Sequence, residues 1–315
     1  VTPDYGAGRR RLHVIKMRGT RYLGGYHDFA IEKGGIRAFP RLVAAGQHTV
    51  FAAETVPSKV PELDRLLGGG LDRGTSTLLM GPSGVGKSTL ALSYLVAGLE
   101  RGERAIVLSF DETAGIFLRR AAGVGMPLDH HVADGRLTIS QIDPANVSQG
   151  DFGARIRDAV ENDGCRIVVV DSLTGYMSAM TGQPALLLQT HELVTYLNQQ
   201  GVTTILILAQ HGMVGRMDSP IDITYVSDTV VMLRFFETSG RVRRALSVLK
   251  KRTGPHEDTI REFRIDSQGL RVGEALTGFR GVLTGVPTFE GDRRDLLDAR
   301  PGSAEAETSV PHAGA

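Results

Sequence analysis

Residues 81–89 read GPSGVGKST, which sets Gly81, Gly86, Lys87 and Ser88 at the spacing G-x-x-x-x-G-K-[ST]. The glycines let backbone N–H groups of Pro82's neighbours, Ser83, Gly84 and Val85, turn inward and wrap phosphate oxygens. Lys87 then reaches the terminal phosphates, and the Ser88 hydroxyl is placed to ligate Mg2+. Thr89 continues into a helix whose positive dipole end faces the anion. Carboxylates follow at matching places. Asp171 closes the apolar run RIVVVD (166–171), where a carboxylate holds Mg2+ directly or through water. Asp111 and Glu112, in SFDET (109–113), sit at the end of another apolar run, where an acid can orient or deprotonate an attacking water. The same acids with Thr113 also suit a helix N-terminus, but their place beside a phosphate loop favours catalysis.

Such groups need a frame to bring them together. STLLM (76–80), RAIVLSF (104–110), RIVVVDS (166–172) and VTTILILA (202–209) are short apolar runs that read as buried strands. Between them, 87–102, 113–125, 152–164 and 184–201 carry apolar residues at helical spacing, and most end in glycine. The alternation predicts an α/β fold with a mainly parallel central sheet flanked by helices. Asp171's strand is expected beside the phosphate-loop strand. After residue 226, SDTVVMLRFFE, RVRRALSVLKKR and TIREFRID predict antiparallel hairpin strands added to that sheet.

A repeat divides the chain. VIKMRGT (14–20) returns as VLKKRTG (248–254), an offset of 234 from Lys16 to Lys250. At that offset Arg10, Leu12, Val14, Lys16, Arg18, Phe29, Ile31, Gly35 and Arg37 recur as Arg244, Leu246, Val248, Lys250, Arg252, Phe263, Ile265, Gly269 and Arg271. Residues 1–42 are therefore expected to be the closing hairpin of a truncated upstream domain. Residues 43–57 read as a linker and 58–275 as the nucleotide-binding domain. Residues 276–315 read as a C-terminal extension, largely a disordered tail.

The net charge of +1 argues against a protein built mainly to grip nucleic-acid backbones. No stretch has the apolar length of a membrane span, and no signal-peptide apolar region opens the sequence. The single cysteine, Cys165, precedes an apolar strand and reads as a buried thiol in a reducing, cytoplasmic setting.

Together, SKVPELDRLLGGGLDRGTSTLLMGPSGVGKSTLALSYL, SFDET, VVVDSLTGY and SVLKKRTGPHEDTIREFRI resemble the KaiC branch of the RecA-like P-loop ATPases, over about residues 58–275. The resemblance implies hexameric rings with ATP between subunits. It implies that Asp111 and Glu112 are the paired catalytic acids, that Lys250 and Arg252 reach the neighbour's γ-phosphate, and that His256 helps line the neighbour's nucleotide. It further implies a signalling or timing switch with signalling partners. Family members also phosphorylate themselves on adjacent Ser and Thr, positions that fall here on Thr224 and Tyr225. The tyrosine is a departure, as are Lys251 where Met is frequent, Thr253 where Gly is usual, and Val124 where an aromatic is expected. A RecA-like DNA-dependent ATPase ranks second. Residues 173–185 carry no basic side chain, and 211–225 carry only Arg216, whereas gripping a strand calls for a positive groove. A third reading is a nucleotide-gated scaffold, with Gln210 sensing the γ-phosphate.

Overall fold

Runs such as RIVVVD and TTILILA are apolar on both faces because both faces are covered. In the computed structural model, which describes residues 9–44, 49–180, 186–210, 223–238, 240–283 and 288–289, they form the middle of a nine-stranded sheet. The chain opens with β1 (Arg10–His13), β2 (Tyr26–Glu32) and β3 (Gly35–Phe39), a separate antiparallel sheet. β4 (Thr55–Val56) and β5 (Leu71–Asp72) pair around α1 (Pro61–Leu66). Then come β6 (Ser76–Gly81), α2 (Lys87–Glu100), β7 (Arg104–Ser109), α3 (Ala114–Gly123), α4 (Asp129–Ala133) and β8 (Leu137–Gln141). α5 (Gln149–Glu161), β9 (Cys165–Asp171), α6 (Leu173–Ala179), α7 (Leu186–Gln199) and β10 (Thr203–Ala209) follow. The chain continues with β11 (Thr229–Thr238), β12 (Arg241–Lys251), β13 (Arg261–Asp266) and β14 (Gly269–Ala275), then the short pair β15 (Phe279–Arg280) and β16 (Thr288–Phe289).

The large sheet has the order β14-β13-β12-β11-β6-β10-β9-β7-β8. From β11 to β8 every pairing is parallel; β12, β13 and β14 extend the sheet antiparallel. The extension therefore begins one strand later than the sequence suggests, since β11 pairs parallel to β6. Alternation divides the core in two. Leu78, Val168, Val170, Leu206 and Leu208 pack with Phe152, Ile156, Val194 and Leu197 of α5 and α7 on one face. Leu79, Ile167, Val169, Ile205 and Ile207 pack with α2 and Phe117 of α3 on the other. Cys165 is buried, and burial pushes its thiol up to about 11.

The repeat holds at the level of strand pairing. Arg10 pairs Phe29 as Arg244 pairs Phe263; Ile31 pairs Ile36 as Ile265 pairs Leu270; Glu32 pairs Gly35 as Asp266 pairs Gly269. The two three-stranded units thus share one register at the offset of 234. Their surroundings differ. Phe263 is fully buried and its counterpart Phe29 only half-buried; Ile265 is half-buried and its counterpart Ile31 exposed. The opposite face of β1–β3 rests on α5 and α7: Gly150 N–H donates to Asp28 Oδ2 at 2.8 Å, and Arg41 pairs with Glu192 at 3.2 Å.

Residues 49–57, within the expected linker, are packed on the domain. Thr49 N–H donates to the Gln199 carbonyl, Phe51 covers Gly74 and Gly201, and β4 pairs with β5. In the expected extension, Leu276, Phe279 and Val282 form a small core with Phe236 and Ala245; the tail at 301–315 lies outside the described residues. Among the described residues no helix is long and apolar enough to cross a membrane.

Candidate active site

β6 delivers the chain to Gly81, and residues 82–86 turn it into α2. Gly84 and Gly86 take φ of +76° and +112°, the left-handed region that glycine enters without a steric cost. An added Cβ on Gly86 would also stand 2.5 Å from Ile265 Cδ1, so that side chain would have to move. Behind the loop the Lys87 ammonium is buried and donates to the carbonyls of Gly81 (2.9 Å) and Pro82 (2.7 Å). Burial pushes its pKa down to about 8, while the Asp171 and Asp111 carboxylates act the other way.

Asp171 reaches the same spot by a different route from the one expected. β9 is not the neighbour of β6; β10 lies between them, because TTILILA hydrogen-bonds along both of its edges. Asp171 is level with Ile207, and Ile207 with Leu79, so the carboxylate stays on the phosphate-loop edge about 10 Å across the sheet. Ser88 and Asp171 both line the cleft across that gap. Burial raises the pKa of Asp171. The Ser88 hydroxyl and the charge of Arg120 oppose that rise, and Glu112 and Asp111 add to it.

β7 lies on the far side of β9, with Ser109 level with Asp171, which brings in the other two acids. Asp111 Oδ2 accepts from the Ser172 hydroxyl at 2.8 Å. Glu112 is held through its backbone by Ser109 and through its carboxylate by the guanidinium of Arg120. Thr113 caps α3 by accepting from Ile116 N–H, so the cap and the cleft acids coexist. The cleft enclosed is about 520 Å³. Lys87, Ser88, Thr89, Asp111, Glu112 and Asp171 all line it, as do Ser83, Gly84 and Gly86 of the loop.

Six lining residues were not singled out as site groups: Ser172, Ile207 and Ala209 at the strand ends, and Arg120, Arg244 and Ile265. Arg244 and Ile265 appeared only as repeat positions, a signal that named them without giving a role. Gln210 lies beside the loop, its N–H donating to the Gly81 carbonyl and its buried Oε1 without a partner among the described residues. Val124 packs into the core next to α3, so no aromatic stands at its position.

Lys250, Arg252 and His256 are elsewhere. β12 runs antiparallel to β11, so Arg244 is at the phosphate-loop end while Lys250 is six residues, about 20 Å, away at the other edge. There the Lys250 ammonium donates to the carbonyls of Thr224 (2.8 Å) and Ser227 (2.6 Å), and Arg252 donates to the Tyr225 carbonyl (2.7 Å). His256 is on the loop that follows, next to Glu257, whose N–H donates to the Leu66 carbonyl. Lys251 points inward to the carbonyls of Leu67 and Gly70 and to the Asp72 carboxylate. Residues 211–222, part of one loop weighed for DNA contact, lie outside the described residues.

A parallel sheet carrying a glycine-rich phosphate loop at one strand end, and acids at the ends of two strands beyond it, defines a RecA-like P-loop NTPase domain. Residues 56–277 match the family model described as "ATPase: KaiC", and the chain belongs to that family. It is 28% identical over 287 residues to the circadian clock protein KaiC3 of Synechocystis sp., covering 89% of this chain and 56% of that protein. It is 30% identical over 284 residues to KaiC2 of the same organism, covering 88% and 49%. The circadian clock oscillator protein KaiC of Picosynechococcus sp. is 27% identical over 282 residues, covering 89% and 54%. The chain spans about half the length of these relatives.

Proposed function

We propose that the protein binds ATP with Mg2+ and hydrolyses it as a ring-shaped homo-oligomer, each site completed by a neighbouring copy. The observation that carries this reading is the separation of the two half-sites. The phosphate loop and acids occupy one edge of the sheet; Lys250, Arg252 and His256 occupy the other, too far to serve the same chain's nucleotide. A head-to-tail contact repeated around a closed ring brings the edges together. Lys250 and Arg252 then neutralise charge on the transferring phosphoryl group in trans.

The groups present fit Mg2+. The Ser88 hydroxyl and the Asp171 carboxylate are hard oxygen donors lining the same cleft, and a cation beside them would offset the desolvation of Asp171. When bound, Mg2+ supplies charge neutralisation at the β- and γ-phosphates. Lys87 and the loop N–H groups hold those phosphates. Glu112 accepts a proton from water as its oxygen attacks the γ-phosphorus; the bond to the bridging oxygen breaks, and ADP leaves. Asp111, fixed by Ser172, supports the water or the metal. Arg244 and Ile265 offer a cation and an apolar wall for the remainder of the nucleotide.

The wider role we infer is a cytoplasmic signalling or timing switch with protein partners, in keeping with the clock proteins it is similar to. If the chain phosphorylates itself, Thr224 is the acceptor, and the bond from Lys250 to its carbonyl supports that choice. The shared register of β1–β3 and β12–β14 supports β1–β3 as the closing sheet of a further KaiC-type unit. The scaffold reading keeps one observation in its favour, the Gln210 Oε1 beside the loop, buried and without a partner among the described residues.

Incubation with γ-labelled ATP, followed by sizing with and without nucleotide, tests these together. Released phosphate, a ring that forms with ATP, and a Glu112→Gln variant that binds ATP but turns over about 10²-fold or more slowly are expected. Binding without release by the unaltered protein selects the scaffold. Failure to bind ATP together with failure to form a ring would sink the proposal.

A further inference from the structure

Arg120 belongs neither to the phosphate loop nor to the cations at the far edge, yet it lines the cleft. Its Nε donates to Glu112 Oε2 at 3.3 Å, and its Nη2 pairs with Glu112 Oε1, a two-point grip. The guanidinium is itself anchored. It stands 5.1 Å from the ring centroid of Phe117, one turn back on α3, and Phe117 is buried in the core. Its charge also favours the ionised form of Asp171 against the pull of burial. So one side chain, fixed by the fold, touches one of the cleft acids and acts electrostatically on another.

A glutamate has several freely rotating side-chain bonds, and a base must meet its water within hydrogen-bond reach and in line with the phosphorus. A planar guanidinium gripping both oxygens removes most of that freedom, which an ammonium cannot do. A carboxylate has about four acceptor positions, so the grip leaves others for water. We propose that Arg120 is a positioning residue for hydrolysis: through its two-point pair with Glu112 it sets the direction from which that carboxylate meets the attacking water. The proposal rests on Glu112 being the base. The rival account is an ion pair that merely steadies the start of α3.

Steady-state hydrolysis by the assembled full-length chain separates the two. Arg120→Gln is expected to lower kcat about tenfold, well within the cost of misplacing a reacting group, with KM for ATP changed less than about twofold. Arg120→Lys, which keeps the charge without the fork, is expected to recover only part of the loss. In a Glu112→Gln background, Arg120→Gln is expected to change kcat no further, because its target is gone. An equal fractional loss in both backgrounds, an unchanged kcat, or a loss that follows the melting temperature across both variants overturns the role of Arg120 alone. Full turnover by Glu112→Gln removes the base assignment and the Arg120 role with it.

Discussion

Lys250 and Lys251 are adjacent in sequence and each donates to two backbone carbonyls, but only Lys251 also pairs with the Asp72 carboxylate at the Gly68–Gly70 turn. Strand alternation sends Lys251 inward, where its side chain is 3% exposed and satisfies two carbonyls and the Asp72 carboxylate. The ammonium thereby ties β12 to the Gly68–Gly70 turn, a turn whose Gly68 could not carry a Cβ without striking the Pro255 carbonyl. Removing Lys251 strands those acceptors, at a cost of about 2–4 kcal/mol. Lys251→Ala should therefore lower stability to denaturant, whereas Lys250→Ala should lower ATP turnover with a smaller effect on unfolding. Urea titrations and rates on both variants check the contrast; equal loss of stability would remove the distinction. The composition of the KKR run does not say which lysine is structural. The phase of β12 relative to the core does.

Strand direction decides the chemistry at the level of elements. Because β12 is antiparallel, one strand carries Arg244 to its own cleft and Lys250 and Arg252 to the opposite edge. If those cations act on a neighbour, two crippled chains can repair each other. Lys87→Met has no phosphate grip but intact Lys250 and Arg252; Arg252→Ala has the reverse. Each is expected to be nearly inactive alone. Mixed and reassembled, they should recover roughly a quarter of the unaltered rate, the share of random head-to-tail contacts that join two intact halves. No recovery on mixing, measured as phosphate release, would place the cations in cis and contradict the geometry. The sequence shows the K-x-R pattern and the acids at their strand ends. It does not show that β10 lies between β6 and β9, because strand order depends on which edges are free to pair, and apolar runs that are buried on both faces look alike.

For the whole molecule, the question is how β1–β3 is attached. Its contact with the helical layer is narrow and close: a Cβ on Gly150 would stand 2.8 Å from Asp28 Cβ and 2.9 Å from Phe39 Cβ. Gly150→Ala should loosen this junction by about 1–3 kcal/mol, as overpacking does. Hydrogen exchange should then quicken in β2 and β3 while the central sheet keeps its protection. Unaltered exchange in β2 and β3 would mean that the junction yields without cost. The exposed face with Ile31 and Ile36 corresponds to the face that covers the phosphate loop in the ATPase domain.

The sequence by itself determined the phosphate loop, the strand-end acids, the alternation of strands and helices, and the repeat whose offset survives as strand register. These are local in origin: a backbone conformation open to glycine, a buried run of fixed length, a pairing pattern carried by one hairpin. It did not show β8, an edge strand with little alternation to mark it, or α6, whose small and polar residues resemble a loop until Ser172 caps it. Only the tertiary structure decided that Arg120 grips Glu112, that Arg244 and Ile265 close the cleft, and that Lys250 and Arg252 face away from it. Those facts depend on which surfaces meet after the sheet is assembled, and contacts between distant segments have no signature in the spacing of either segment alone.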